Sequence, residues 1–371
     1  MAGLSFSMTG QFISTISLFA PIPSISQSPE CIHFPINFNS LVIQSWEKSA
    51  KTLATANSTI PPLVVVGSAN ADMCIEIDRL PNMGETISAK SGQTLAGGKG
   101  ANQAACGGRL AHPTYFIGQV GDDQHGKLIS RSLKDCGVRV DLVRCIGGDS
   151  RSVTAKVVVL CSIGDLNIFL SLGSNLVKEP HSLSMIKLSL IFRASSRILG
   201  RIILSYVLVQ LHCASRRAHV PVILDAGGSD APLPKELLIL VDILSPNETE
   251  LARITGIRLD GFEHVEKAAK KCHEMGVKQV LVKLGDRGSA LFIQGEEPIK
   301  QPIFPATQVV DTTGAGDTFT AAFAVALVEE KSKEMCLRFA AAAASLCVQV
   351  KGAIPSMPDR ASVLRLLNAI S

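Results

Sequence analysis

Asp311-Thr312-Thr313-Gly314-Ala315-Gly316-Asp317-Thr318 stands between a strand-like run, Gln308 to Val310, and a helical pattern. From Phe319 the apolar residues recur as Phe319, Ala322, Phe323, Ala326 and Leu327, the spacing of an amphipathic helix. Two glycines let backbone N–H groups approach an anion closely, and a helix N-terminus adds free donors and the positive end of its dipole. A carboxylate in an anion site would repel a phosphate. It makes sense if Asp317 takes a proton from an alcohol while neighbouring N–H groups hold the phosphoryl group under attack. The plainer reading, a capped helix start with glycine in the turn, fits the spacing equally well.

Outward from this stretch, strands alternate with helices. Leu63 to Val66 reads as a buried strand, with Ser68 to Asp72 as a polar loop after it. Helical spacing follows at 101–109 and 127–136, and strand signals at 115–120, 153–160, 222–225, 241–244, 280–283 and 290–293. Asn247 is a good N-cap, with Glu248 and Glu250 in the first turn and Gly256 closing the helix. Glu263 to Met275 and Cys336 to Val350 read as further helices. Such alternation predicts an α/β fold on a parallel, doubly wound sheet. Ligands bind such sheets at the carboxyl ends of the strands, so the polar and glycine clusters that follow strands should gather on one edge.

Composition narrows the classes. The chain has 371 residues, 46% hydrophobic and 18% charged, with a net charge of +4. That charge is small and scattered, which argues against a nucleic-acid partner. No charge-free apolar stretch reaches 18 residues, so no membrane span is expected. The ten cysteines form no CxxC pair and mostly lie in apolar runs, as small core residues do. Residues 1–59 read differently: rich in Ser and Thr, without Arg, with only Glu30 and Glu47 as acids. They predict a transit peptide, plastid before mitochondrion because Arg is missing, or else a disordered leader.

Singly, the remaining motifs are weak. Gly97-Gly98-Lys99-Gly100 has neither Walker A nor dinucleotide-fingerprint spacing. In order along the chain, however, Asn70-Ala71-Asp72, Gly97-Gly98-Lys99-Gly100-Ala101-Asn102, Ser245-Pro246-Asn247-Glu248-x-Glu250 and Asp311 to Phe319 resemble the PfkB carbohydrate kinase family. The resemblance spans roughly 62–175 and 217–360.

The resemblance implies a three-layer α/β sandwich with a mainly parallel doubly wound sheet plus a small β-sheet lid, all within 60–371. Lid strands are expected at about 73–95 and 153–172, with pairing of lids in a homodimer. The implied reaction moves the γ-phosphoryl group of ATP to the 5-hydroxyl of D-ribose. Asp317 matches the family's base, and Gly314, Ala315 and Gly316 match its anion hole. Asn70, Ala71, Asp72, Gly98, Lys99, Gly100, Ala101 and Asn102 match the sugar site. Asn247, Lys283, Leu284, Gly285, Asp286, Arg287, Gly288 and Gly316 match the nucleotide side. Glu250 matches the acid that organises Mg²⁺. A monovalent cation, K⁺, is implied beside Asp311, Thr313, Cys347, Val350, Gly352 and Ser356.

One segment departs from the pattern. Between Leu166 and Leu224 one acid, Glu179, faces seven Lys and Arg. No residue of 176–216 matches the family's sugar-contacting glutamate or the strand and helix around it. Two alternatives therefore stay open: another sugar or nucleoside kinase of the same family, or a catalytically impaired kinase-like protein that acts by binding.

Overall fold

Three sets of hydrogen-bonded strands carry the chain. The computed structural model describes residues 60–146, 154, 156–162, 167–172, 220–227, 233 and 235–369. All of them lie in one unit, Ala54–Ser371. The leader and the 176–216 segment lie outside the described residues, and so do the readings made for them.

The larger sheet has the order β12-β11-β10-β9-β8. It comprises β8 (Ile223–Asp225), β9 (Ile243–Ser245), β10 (Gln279–Lys283), β11 (Ser289–Ile293) and β12 (Ile299–Gln301). Strands β8, β9 and β10 are parallel, and β11 and β12 continue antiparallel. Period-2 alternation sends neighbouring side chains to opposite faces. Ile243 and Leu281 pack on the cluster holding α6 (Ala315–Val328) and α7 (Lys333–Cys347). Leu244, Val280 and Val282 pack on the opposite cluster, with α4 (Glu248–Thr255) and α5 (Phe262–Glu274). Helices on both faces give the expected three layers.

A second parallel set has the order β1-β4-β5: β1 (Leu63–Val66), β4 (Thr114–Gly121) and β5 (Val143–Ile146). Against it lie α1 (Lys99–Arg109) and α2 (Gln124–Asp135). Among the described residues β1 pairs only with β4 and β8 only with β9. Both edges still reach the same helical layer, because Leu63 of β1 and Ile223 of β8 pack on the α6–α7 cluster.

The third sheet is the lid, with the order β3-β2-β6-β7. It contains β2 (Asn70–Ile77), β3 (Ser91–Gly97), β6 (Lys156–Ser162) and β7 (Asn167–Leu172). The sequence reading is corrected at one end. Asn70, Ala71 and Asp72 are not a loop: they open β2, paired with Gly97, Ala96 and Leu95 of β3. Tertiary pairing with β3 overrides the turn preference of Asn70 and Asp72.

A second correction concerns 308–310. That run is not a strand, and Val309 and Val310 are 68% and 50% exposed. The Val310 and Asp311 amides instead donate to the Val348 carbonyl, at 2.8 and 3.1 Å, just beyond α7. Helix α6 begins at Ala315, one turn earlier than its apolar period implies. The sequence reading also passed over β5, β12, α3 (Lys235–Leu238), α8 (Ala353–Ser356) and α9 (Arg360–Ala369). All but α9 are four residues or fewer, too short for a period to emerge. No helix among the described residues is long and apolar enough to cross a membrane.

Candidate active site

The first turn of α6 meets the first turn of α1. Gly314 caps α6 with φ of 82°, in the left-handed region that favours glycine. A Cβ there would also crowd Ala353, whose Cα would lie 3.1 Å away. The Ala315 amide donates to the Thr312 carbonyl at 3.2 Å. The Gly316 and Asp317 amides, inside the first turn, have no carbonyl four residues back within the helix. Both amides therefore point from the open N-terminal end of α6, where a helix presents donors to an anion.

Asp317 is buried. Its Oδ2 accepts from the Asn102 amide at 2.8 Å and its Oδ1 from Gln103 Nε2 at 3.5 Å, both on α1. Burial raises the carboxyl above its ordinary range; Lys99 opposes this and Asp225 adds to it. A raised carboxyl is a better proton acceptor near neutral pH. Asn102 Oδ1 is buried and unpartnered among the described residues, which leaves an acceptor beside the base.

The GGKGAN loop is shaped by close backbone approach. A Cβ on Gly98, where φ is 94°, would lie 2.8 Å from the Asn70 amide nitrogen. One on Gly100 would lie 2.7 Å from Gly67 Cα. Gly97 leaves room for the Asp72 carboxylate, which a Cβ would meet at 1.9 Å. Burial, and then the like charge of Asp317, push the Asp72 carboxyl up to about 7. The sugar-site residues implied by the resemblance, Asn70 to Asp72 and Gly98 to Asn102, therefore do converge on Asp317.

Lys99 and Lys283 reach the same place from opposite sides. Lys99 Nζ lies 3.0 Å from Asp225 Oδ1 and 3.5 Å from Glu250 Oε1. Lys283 Nζ, at the end of β10, lies 2.8 Å from Asp225 Oδ2 and 3.2 Å from Thr320 Oγ1. Burial alone would raise the Asp225 carboxyl, but the two ammonium groups outweigh it and hold it well below the carboxylate range. Sequence reasoning missed Asp225 and Thr320. The available signal was a charged residue ending a buried strand, Val222-Ile223-Leu224-Asp225, at the edge where ligands bind.

Among the positions the resemblance implies for the nucleotide, Asn247 and Glu250 form a reciprocal capping box. Asn247 Oδ1 accepts from the Glu250 amide at 2.8 Å, and Glu250 Oε2 from the Asn247 amide at 2.9 Å. Beyond β10, Leu284 leads into a tight turn over Gly285–Arg287 that includes Asp286. Gly285 and Gly288 have φ of 59° and 86°, and Arg287 pairs with Glu248.

The positions implied for K⁺ also gather. Asp311 Oδ1 accepts from the Thr313 amide at 2.9 Å and Oδ2 from the Gly352 amide at 2.8 Å, tying the two loops together. Cys347 Sγ and Ser356 Oγ are 3.1 Å apart. Burial raises the Cys347 thiol, so it stays protonated and is a poor metal ligand. The remaining donors, carboxylate, hydroxyl and backbone carbonyl oxygens, suit a hard cation.

A family model described as "pfkB family carbohydrate kinase" matches residues 61–360. The chain belongs to that family. Over 309 residues it is 62% identical to ribokinase of Arabidopsis thaliana, covering 83% of this chain and 81% of that one. It is 37% identical to ribokinase of Bacillus subtilis, over 82% of this chain and 99% of the relative. The solved structure of Arabidopsis ribokinase complexed with ribose and ATP superposes with a TM-score of 0.71 at 57% identity, covering 83% and 99% of the two chains. Within that family match, Asp317 is buried in the first turn of α6.

Proposed function

We propose that this chain phosphorylates D-ribose at O5 with ATP, giving ribose 5-phosphate and ADP. The observation that carries the reading is Asp317, buried, raised in basicity and held by Asn102 beside the amides of Gly316 and Asp317 itself. Asp317 takes the O5 proton as the O5 lone pair attacks the γ-phosphorus. The bond from that phosphorus to the β-phosphate oxygen breaks, and ADP leaves with the electron pair. First-turn amides meet charge on the transferring oxygens, so positioning and electrostatics do most of the catalysis.

Asn70, Asp72 and Asn102 are the groups that hold the sugar hydroxyls. Lys283 and the turn at Gly285–Gly288 border the nucleotide. ATP-dependent kinases use ATP with Mg²⁺, which neutralises phosphate charge when bound. Glu250 suits it through water, since Mg²⁺ keeps several waters and takes few protein carboxylates. K⁺ fits the Asp311–Gly352 loop pair, where it would fix the loop that leads into α6. A homodimer through the lid and plastid import of the Ser-rich leader complete the reading. Sedimentation, and import into isolated chloroplasts, test these two.

The full chain, given ribose, ATP, Mg²⁺ and K⁺, should release ADP in proportion to ribose, and Asp317→Asn should not. ADP release without ribose, or a better kcat/KM for another sugar or nucleoside, overturns the assignment. Ribose binding without turnover would instead favour a binding role.

A further inference from the structure

The assigned roles leave Asp225 without a purpose, although it makes more polar contacts than any other carboxylate in the site. Its Oδ1 accepts from Lys99 Nζ at 3.0 Å and from the Gly227 amide at 3.1 Å. Its Oδ2 accepts from Lys283 Nζ at 2.8 Å and from Thr320 Oγ1 at 3.3 Å. The side chain is 8% exposed. Four donors converge from four different elements: α1, the turn after β8, β10 and α6. Each carboxylate oxygen is filled by one ammonium and one neutral donor.

The position of these ammonium groups matters more than their pairing. A Cβ on Gly316, in the anion cradle, would lie 4.0 Å from Lys283 Nζ. A Cβ on Gly227 would lie 1.9 Å from Lys99 Nζ. Glycine at that point therefore keeps open the space into which the Lys99 ammonium fits. Without Asp225, two like charges on long, flexible side chains would repel each other and lose their common anchor. Lysine is a point charge with three rotatable donors, so its aim is set by what it touches.

We propose that Asp225 is a positioning residue for the phosphoryl transfer, holding the Lys99 and Lys283 ammonium groups as a fixed pair on either side of the reacting phosphoryl group. This rests on the kinase reading above. Asp225 itself touches neither sugar nor nucleotide in this scheme; it acts through the two lysines. The pair meets charge that spreads over the phosphoryl oxygens in the transition state, an effect on kcat more than on ground-state binding.

The test compares Asp225→Asn, Lys283→Met and the double variant by steady-state kinetics, with thermal unfolding of each. Asparagine is isosteric but offers one acceptor oxygen in place of two. Its kcat is expected to fall roughly 100-fold while KM for ribose and ATP stays within about threefold. The double variant should lose less than the product of the two single losses, because Asp225 acts in part through Lys283. Wild-type kcat in Asp225→Asn overturns the proposal, as do losses that multiply in the double variant or a change confined to KM. If Asp225→Asn does not fold, Thr320→Val removes one of the four donors without a charge change. It should lower kcat in the same direction, and unchanged kcat there also overturns the proposal. A wild-type protein that leaves ribose unphosphorylated fails the kinase reading instead, which separates the two.

Discussion

The Asn102 amide donates to Asp317 Oδ2 at 2.8 Å, joining the first turns of two helices 215 residues apart. One half of the site is thereby aimed by the other: the GGKGAN stretch orients the Asp317 carboxylate of the DTTGAGD stretch. Removing the base itself, Asp317→Asn, should lower ribose-dependent kcat about 10²- to 10⁴-fold. Asn102→Ala leaves the Asp317 carboxylate held only by the longer contact from Gln103 and also deletes a buried acceptor. A rise in ribose KM together with a roughly tenfold lower kcat is expected, read by coupled ADP release. Loss in KM alone would separate Asn102 from the base.

Asp72 should make the free protein's stability depend on pH. Its carboxyl is pushed up to about 7 by burial and by Asp317, against 3.8 ordinarily. The folded state therefore keeps a proton that the unfolded state releases. The contribution is fully present below the unfolded value and is lost as pH rises through the folded one. Its ceiling is on the order of 4 kcal/mol. Asp72→Asn should show a flatter Tm between pH 5 and 8 and exceed the wild type at the upper end. Parallel Tm curves for the two proteins would contradict the shift.

Asp311 bridges the Thr313 and Gly352 amides, so its removal should uncouple the two loops. If K⁺ acts there, Asp311→Ala should lose roughly tenfold stimulation by K⁺ over a large organic cation. Stimulation kept in full would place the cation elsewhere.

Two glycines separate steric crowding from backbone strain. A Cβ at Gly100 would lie 2.7 Å from Gly67 Cα, backbone against backbone, which cannot give way cheaply. Gly100→Ala should cost on the order of 2 to 3 kcal/mol and displace α1. Gly84, with φ of 79° and nothing within 4 Å of a Cβ, carries strain alone. Gly84→Ala should cost about 1 kcal/mol without changing kcat. Urea unfolding of both variants compares them, and equal costs would contradict the distinction.

The α/β alternation, the Asn247 helix cap and the carboxylate at the start of α6 were legible in the chain itself. Each is written locally: a strand or helix period, a cap three residues from its partner, a carboxylate at a glycine-rich helix start. It did not disclose that Asn70 to Asp72 open a strand or that Val309 and Val310 do not form one. Those outcomes depend on partners elsewhere, Ala96 and Leu95 for the one and Val348 for the other. Nor could it single out Asp225, because one carboxylate at a strand end looks like any other. Only folding brings Lys99, Lys283 and Thr320 onto its two oxygens, across 126, 58 and 95 residues. Local patterns record what a residue does with its neighbours in the chain. The charge pairing at this site is made by neighbours in space, which meet only in the folded chain.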